Sequence, residues 1–270
     1  MDADIYTING ELSGKIKLPE VFNMEFREDL VKRAILSELS KEYQPQGHYL
    51  MAGLNTTAVY VGKYSGYRRG RHMGIAIRPR QKLGAGAMGD VRKIPSSVKG
   101  KRAHPHKIEK IIEERINRKE YIKAISSAIA GSSKTESIEK RHPLGKKFSY
   151  PLVLENNLEN ISKTKELLNI IKKLGLSSDI ERSHKPKLRK GLSRSSNKRR
   201  FRKSILIVAK NSLKLEKAGR NIPGVDVCAI SSLTVNKLAP GGIPRLAIWS
   251  KGAVESVEAE LNKNDNKNSD

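Results

Sequence analysis

The sequence predicts an α/β fold of three layers, with helices on both faces of a mainly parallel central sheet of about four strands and a long irregular basic loop inserted between two helices. Three observations predict it. Through the second half of the 270 residues, short continuous apolar runs alternate with helical stripes, the pattern of strands buried on both faces. Residues 43–106 break every periodicity while both flanks keep one. The net charge of +25 is concentrated in two segments, which leaves the remainder with the composition of an ordinary globular domain.

Taken in order, Ile5-Tyr6-Thr7-Ile8 reads as a short strand ended by the Asn9-Gly10 turn, and Leu12 to Leu18 as a connector closed by Pro19. From Glu25 the period changes: Phe26, Leu30, Val31, Ala34, Ile35 and Leu39 share one face of a helix that stops near Tyr43. After His106 a helical period returns at Ile108, Ile111, Ile112 and Ile116. It restarts after Asn117, with Glu120 three residues on in capping spacing, and runs through Ile122, Ile125 and Ile129 to Gly131. Ser133 and Glu136 have the spacing to cap a short helix that Pro143 ends.

Leu152-Val153-Leu154 is the next strand, and Leu158, Ile161, Leu167, Leu168, Ile171 and Leu174 form a helical stripe that Gly175 stops. Strands follow at Ser204–Ala209, Val225–Ala229 and Leu246–Trp249, separated by short helices at Ser212–Ala218 and Ser232–Leu238 and by the turn Ala239-Pro-Gly-Gly242. An amphipathic helix carrying Ala253, Val254, Val257 and Leu261 closes the fold. The body is therefore residues 1–42 with 107–270, interrupted by the 43–106 loop.

That loop holds 12 Lys or Arg against the single acid Asp90, ten glycines and four prolines. A chain with so little apolar surface to bury does not offset its own ordering entropy, so a polyanion is expected to order it. A second basic segment, 183–203, carries ten cations and no acid. Removing +11 and +10 from +25 leaves +4 for the other 185 residues. The cations expected to meet nucleic acid are Lys63, Arg68, Arg69, Arg71, Arg78, Arg80, Lys82, Arg92, Lys93, Lys99, Lys101 and Arg102 in the loop, and Lys185, Lys187, Arg189, Lys190, Arg194, Lys198, Arg199, Arg200 and Arg202 in the second segment. Tyr60, Tyr64, Tyr67 and His72 stand among the arginines as rings that stack on exposed bases, and His104 lies beside the loop's end. A long irregular arm suits a crevice-rich RNA better than a duplex, and no helix-turn-helix, zinc-finger or basic-zipper pattern is present.

Other chemistries are weaker. Gly84-Ala-Gly86-Ala-Met-Gly89 has dinucleotide-loop spacing, but no buried strand precedes it and Pro95 interrupts any helix after it. The histidines His72, His104, His106, His142 and His184 lack the accompanying Cys or paired acid of a metal site and are expected to contact RNA or solvent. The lone Cys228, in an apolar run, is expected to be a buried small hydrophobe. No run is long enough for a membrane span, so the chain is expected to be cytosolic, with no membrane partner, metal or cofactor. The rival readings are an RNA-modifying or dinucleotide-dependent enzyme and a DNA-compacting architectural protein.

Lys99-Gly-Lys-Arg-Ala-His-Pro-His106, Arg220-Asn-Ile-Pro-Gly224, and Asn236-Lys-Leu-Ala-Pro-Gly-Gly242 followed by Arg245 and Trp249 resemble the archaeal and eukaryotic form of the large-subunit ribosomal protein L four family, over nearly the whole chain. The resemblance implies a non-enzymatic structural component of the large subunit, bound to its ribosomal RNA and to neighbouring ribosomal proteins, and ribosome-bound in the cytoplasm. It implies an α/β body on the outer surface and a long loop that threads into the RNA and helps line the peptide exit tunnel. By position, Ser65 to Gly74 matches the loop tip, so Gly66, Tyr67, Arg68, Arg69, Gly70, Arg71 and His72 are the expected tunnel-facing residues, near the nascent peptide.

Overall fold

The computed structural model describes residues 1–60, 74–143, 148–188 and 199–266, with backbone alone at 187–188, 199–200 and 263–266. β1 (Asp2–Tyr6) turns back at Gly10, whose φ of 86° suits glycine, into β2 (Leu12–Lys17), and the two pair antiparallel. β2 replaces the expected connector. It is an edge strand whose Leu12, Lys15 and Lys17 face solvent, and a strand with almost nothing to bury carries no apolar run by which to be recognised.

A 3-10 turn at Glu20–Asn23 seats Phe22 in the core before α1 (Glu28–Ser40), which buries Val31, Ala34 and Ile35. Within the inserted stretch lie β3 (Arg80–Lys82) and β4 (Met88–Val91). The helix expected across Ile108–Ile116 is absent: residues 107–117 are irregular, with Ile108 and Ile111 exposed. The period is there, but helical stability comes mostly from an apolar face packed on a core, and of these isoleucines only Ile116 packs against one. α2 (Arg118–Gly131) starts after Asn117 without the expected capping bond, since Glu120 instead meets Arg33 of α1 at 3.4 Å. Before α3 (Thr135–Glu139), Ser133 donates to the carbonyls of Ala130 and Phe22 instead of capping.

β5 (Leu152–Leu154) falls where expected. The stripe after it splits into a 3-10 turn at Asn156–Asn160 and α4 (Thr164–Lys173). Gly175, at φ 68°, donates to Lys172 O and Leu176 to Ile171 O, at 2.9 and 3.1 Å, which is a Schellman stop with its apolar contact between buried Leu176 and Ile171. α5 (Ser177–His184), not anticipated, runs into the second basic segment, whose backbone forms β6 (Lys187–Leu188) paired antiparallel with β7 (Arg199–Arg200). Then come β8 (Leu206–Ala209), α6 (Leu213–Gly219), β9 (Asp226–Ala229), α7 (Val235–Leu238), β10 (Ala247–Ser250) and α8 (Lys251–Asn266).

The central sheet has six strands rather than about four, in the order β2-β1-β5-β10-β8-β9, parallel throughout except for β2. Alternate residues supply two cores. Val153, Leu206, Val208, Ala247 and Trp249 join Val31, Ile35, Ile129, Val235 and Val254 on the face covered by α1, α2, α7 and α8. Leu152, Leu154, Ile207, Ala209 and Ile248 join Ile138, Leu167, Ile171 and Leu215 on the face covered by α3, α4 and α6. Helices on both faces of a mostly parallel sheet make the three-layer architecture. The chain divides into two compact units, residues 1–42 with 114–270, and residues 43–113.

Candidate nucleic-acid interface

The unit 43–113 is held by backbone rather than by a core. Val59 and Arg80 exchange both backbone hydrogen bonds at 3.0 Å, and β3 pairs with β4 around Gly84-Ala-Gly86. A Cβ on Gly53 would lie 2.4 Å from Gly100 O, and one on Gly100 2.1 Å from Ile94 O; only glycine lets these backbone segments meet. Lys93 and Lys99 adopt φ of 67° and 58°. Among the described residues, thirteen of the nineteen exposed large hydrophobic side chains belong to this unit, Tyr49, Leu50, Tyr60 and Val98 among them, while Ala58 is its one buried apolar side chain. Exposed apolar area of that extent marks a surface covered by a partner.

The predicted cations of this unit divide. Arg78, Lys82, Lys99, Lys101, Arg102 and His104 are exposed. Arg80 donates to Ala76 O at 3.3 Å, and Arg92, its side chain only 13% exposed, donates to Val98 O at 2.6 Å and to Asp90 at 2.9 Å, so these two also brace the loop itself. Lys63, Gly66, Tyr67, Arg68, Arg69, Gly70, Arg71 and His72 lie outside the described residues, and so do Arg189, Lys190, Arg194 and Lys198.

The second basic segment is pinned at both ends. At its start, Ser183 Oγ donates to Pro223 O at 2.7 Å. At its end, Ser204 N donates to Gly224 O at 2.7 Å, Arg182 donates to Lys203 O at 3.0 Å, and Lys203 Nζ meets Asp226 at 2.9 Å. Beneath lies the buried Arg245, whose guanidinium donates to the carbonyls of Ser204, Ile205 and Gly224 and to Asp226 at 2.5 Å. Burial works to raise the Asp226 carboxyl, but Arg245 and Lys203 outweigh it and hold it below the ordinary carboxylate value. Lys185 and Arg202 are exposed above this platform; of Lys187, Arg199 and Arg200 the backbone alone is described.

A second buried cluster supports α5. Asp179 accepts from Arg182 at 2.8 Å, from Ser204 Oγ, and from His142 Nδ1 at 3.0 Å. His142 is therefore a core residue, which corrects the expectation of a solvated or RNA-facing ring. Burial depresses its pKa despite Asp179, which keeps the ring neutral with its proton on Nδ1. Asp179 itself is raised by burial and lowered more by His142, Ser204 and Arg182, and it lies below its ordinary value. Neither Arg245 nor Asp179 was recognisable as buried from sequence; the only signal was Arg245 abutting the apolar run of β10.

The Gly84–Gly89 stretch spans a hairpin between β3 and β4, not a strand-to-helix turn, and cannot cradle a dinucleotide in the βαβ manner. At the carboxyl edge of the sheet, where α/β folds usually hold ligands, Glu159 accepts from Lys210 N, Asn211 N and Ser250 Oγ, and Asn156 from Gly252 N. Those polar groups cap strands and α8. Cys228 is buried, its thiol pushed up to about 11 by desolvation, and behaves as the expected small hydrophobe.

An α/β body whose Glu159 and Asn156 are spent on backbone caps and which carries cationic appendages fits a class: a structural protein built for a ribonucleoprotein particle. The comparisons narrow the class to one family. Residues 16–260 match the ribosomal protein L4/L1 family. The chain is 39% identical over 261 residues to the large ribosomal subunit protein uL4 of Methanococcus aeolicus, covering 95% of this chain and 98% of the relative. It is 38% identical to that of Methanocaldococcus jannaschii, covering 96% and 98%, and 38% identical to that of Thermoplasma acidophilum, covering 94% and 96%. The chain belongs to the ribosomal protein L4/L1 family, and it is a structural ribosomal protein rather than an enzyme.

Proposed function

We propose that the chain is a constituent of the large ribosomal subunit in the cytoplasm, where it binds large-subunit ribosomal RNA through two elements. Residues 43–106 enter the RNA core, and residues 183–203 make a second contact, with neighbouring ribosomal proteins alongside. The observation that carries this reading is the character of the 43–113 unit: exposed cations among exposed apolar and aromatic side chains, with almost nothing buried. Phosphates answer the cations, stacked bases answer Tyr49 and Tyr60, and the glycine-tight backbone lets RNA approach closely. The pinned ends of the second segment give its cations a fixed platform, which lowers the ordering cost of contact.

We further propose that Gly66 to His72 line the peptide exit tunnel near the nascent chain, as the resemblance implies. Two experiments test the reading. After a high-salt wash, the protein should co-sediment with large subunits; a free pool carrying a bound cofactor, or a nucleoid-bound pool, would overturn the assignment in favour of an enzyme or a DNA-compacting protein. A stalled nascent chain bearing a photoreactive side chain should cross-link to residues 66–72, and cross-links confined to RNA or to other proteins would remove the tip from the lumen.

A further inference from the structure

One groove on the α/β body has the opposite chemistry to the rest of the molecule. It measures about 790 Å³ and lies between the 3-10 turn Glu20–Asn23, α2 and the end of α8. Val21, Met24, Ile122 and Leu261 give it an apolar floor, and among the described residues its charged lining is Glu20 and Glu258. The two are coupled: Glu20 N donates to Glu258 Oε1 at 3.1 Å, which fixes the acidic rim. Glu25 and Glu255 are exposed, next to Met24 and one turn before Glu258 respectively, and the exposed Lys123 follows Ile122. Among the described residues none of Glu20, Glu255 and Glu258 has an ion-pair partner within 4 Å, whereas Glu25 lies near enough to Arg27 to help raise its pKa. By contrast, the charged lining of the groove beside β9 is mostly cationic, with Lys203, Lys217, Arg220 and Lys237 against Glu216 and Asp226.

On a chain of net charge +25, an acidic groove with an apolar floor repels phosphate, and its remaining polar lining is the uncharged Asn23, Ser126 and Asn262. Its complement is a cationic segment carrying an apolar anchor. We propose that this groove docks a Lys- or Arg-bearing segment of a neighbouring large-subunit protein, with one apolar side chain seated between Met24, Ile122 and Leu261 and its cations on Glu20 and Glu258. The proposal rests on the chain's place in the large subunit and names a protein-facing surface separate from the RNA-facing elements. Met24, 43% exposed, is the side chain such an anchor would cover.

The test replaces Met24 by photoreactive p-benzoylphenylalanine in the full chain and isolates large subunits before irradiation. Co-sedimentation is scored first, so that a chain failing to enter subunits counts against the ribosomal reading and not against the groove. Within subunits, the adduct should survive ribonuclease, disappear with protease, and yield a peptide of another ribosomal protein with Lys or Arg beside the cross-linked apolar residue. Combining Glu20→Lys with Glu258→Gln should lower adduct yield about tenfold with co-sedimentation and the thermal transition unchanged. An adduct to RNA, to a second copy or to residues 263–270 of the same chain would overturn the proposal, as would no adduct or a yield indifferent to the two carboxylates.

Discussion

Arg245 is the residue on which one end of the sheet converges. Its buried guanidinium satisfies the carbonyls of Ser204, Ile205 and Gly224 and pairs with Asp226, so removing it takes a donor from three carbonyls at once and leaves Asp226 only the half-exposed Lys203 as a cation. Arg245→Ala should cost about 3–5 kcal/mol, read as a drop in the denaturant midpoint. Lys203→Ala at the same Asp226 should cost less than about 1 kcal/mol, because that lysine side chain is half exposed. Equal losses for the two would show that charge count, and not burial with backbone satisfaction, governs the site. The neighbouring His142 sets a pH dependence. Its folded pKa is depressed by burial, so the unfolded state binds the proton more readily; the stability this confers is present above about pH 6.5 and falls as pH drops below it. Asp179, also depressed in the fold, adds a loss in the same direction at lower pH. His142→Gln should flatten the first decline below about pH 6.5, measured by thermal melts at descending pH; an unchanged slope would place the titrating group elsewhere.

At the scale of elements, two glycines with positive or crowded geometry predict different outcomes. Gly175 closes α4 at φ 68° with open space where a Cβ would go, so Gly175→Ala should cost only the backbone strain, about 1 kcal/mol. A Cβ on Gly100 meets Ile94 O at 2.1 Å. Gly100→Ala should therefore distort the 43–113 unit while leaving the melting of the α/β body in place, with the damage visible as weakened RNA binding. The same contrast explains what was legible in the sequence. β5, β8 and β10 were readable because each is buried on both faces and so is almost wholly apolar, β9 because Val225, Val227 and Cys228 keep an apolar run although it is a partly buried edge strand carrying Asp226, and α4 because its stripe and glycine stop agree. β2 was not readable because an edge strand buries little. The run Ile108–Ile116 misled because a helical period without a core to face does not fold. Of the interface, the charge segments were plain from composition. The anchorage of 183–203 by Pro223, Gly224, Asp226 and Arg245 was not, since it depends on a loop forty residues from Ser183 in sequence returning beside β8.

Across the whole molecule, the proposed function puts stability and RNA affinity in different residues. The two cores lie entirely within residues 1–42 and 114–270, whereas seven of the cations proposed to meet RNA, Lys63 through Lys82, lie between residues 55 and 90. Deleting 55–90 removes those seven cations and, among the buried apolar side chains of the described residues, only Ala58. The thermal transition of the α/β body should accordingly stay within a few degrees of the full chain, since no packed side chain of either core is lost. Binding to large-subunit RNA should weaken by orders of magnitude at moderate salt, and the slope of log affinity against log salt should become shallower by about one per phosphate contact removed, several in all. Both are measured on the same two proteins, by calorimetry and by a salt titration of RNA binding. If the melt fell with the deletion, the inserted unit would be part of the folding core; if the slope stayed constant, its cations would not be the ones that meet phosphate, and the second basic segment would have to carry the electrostatic contact.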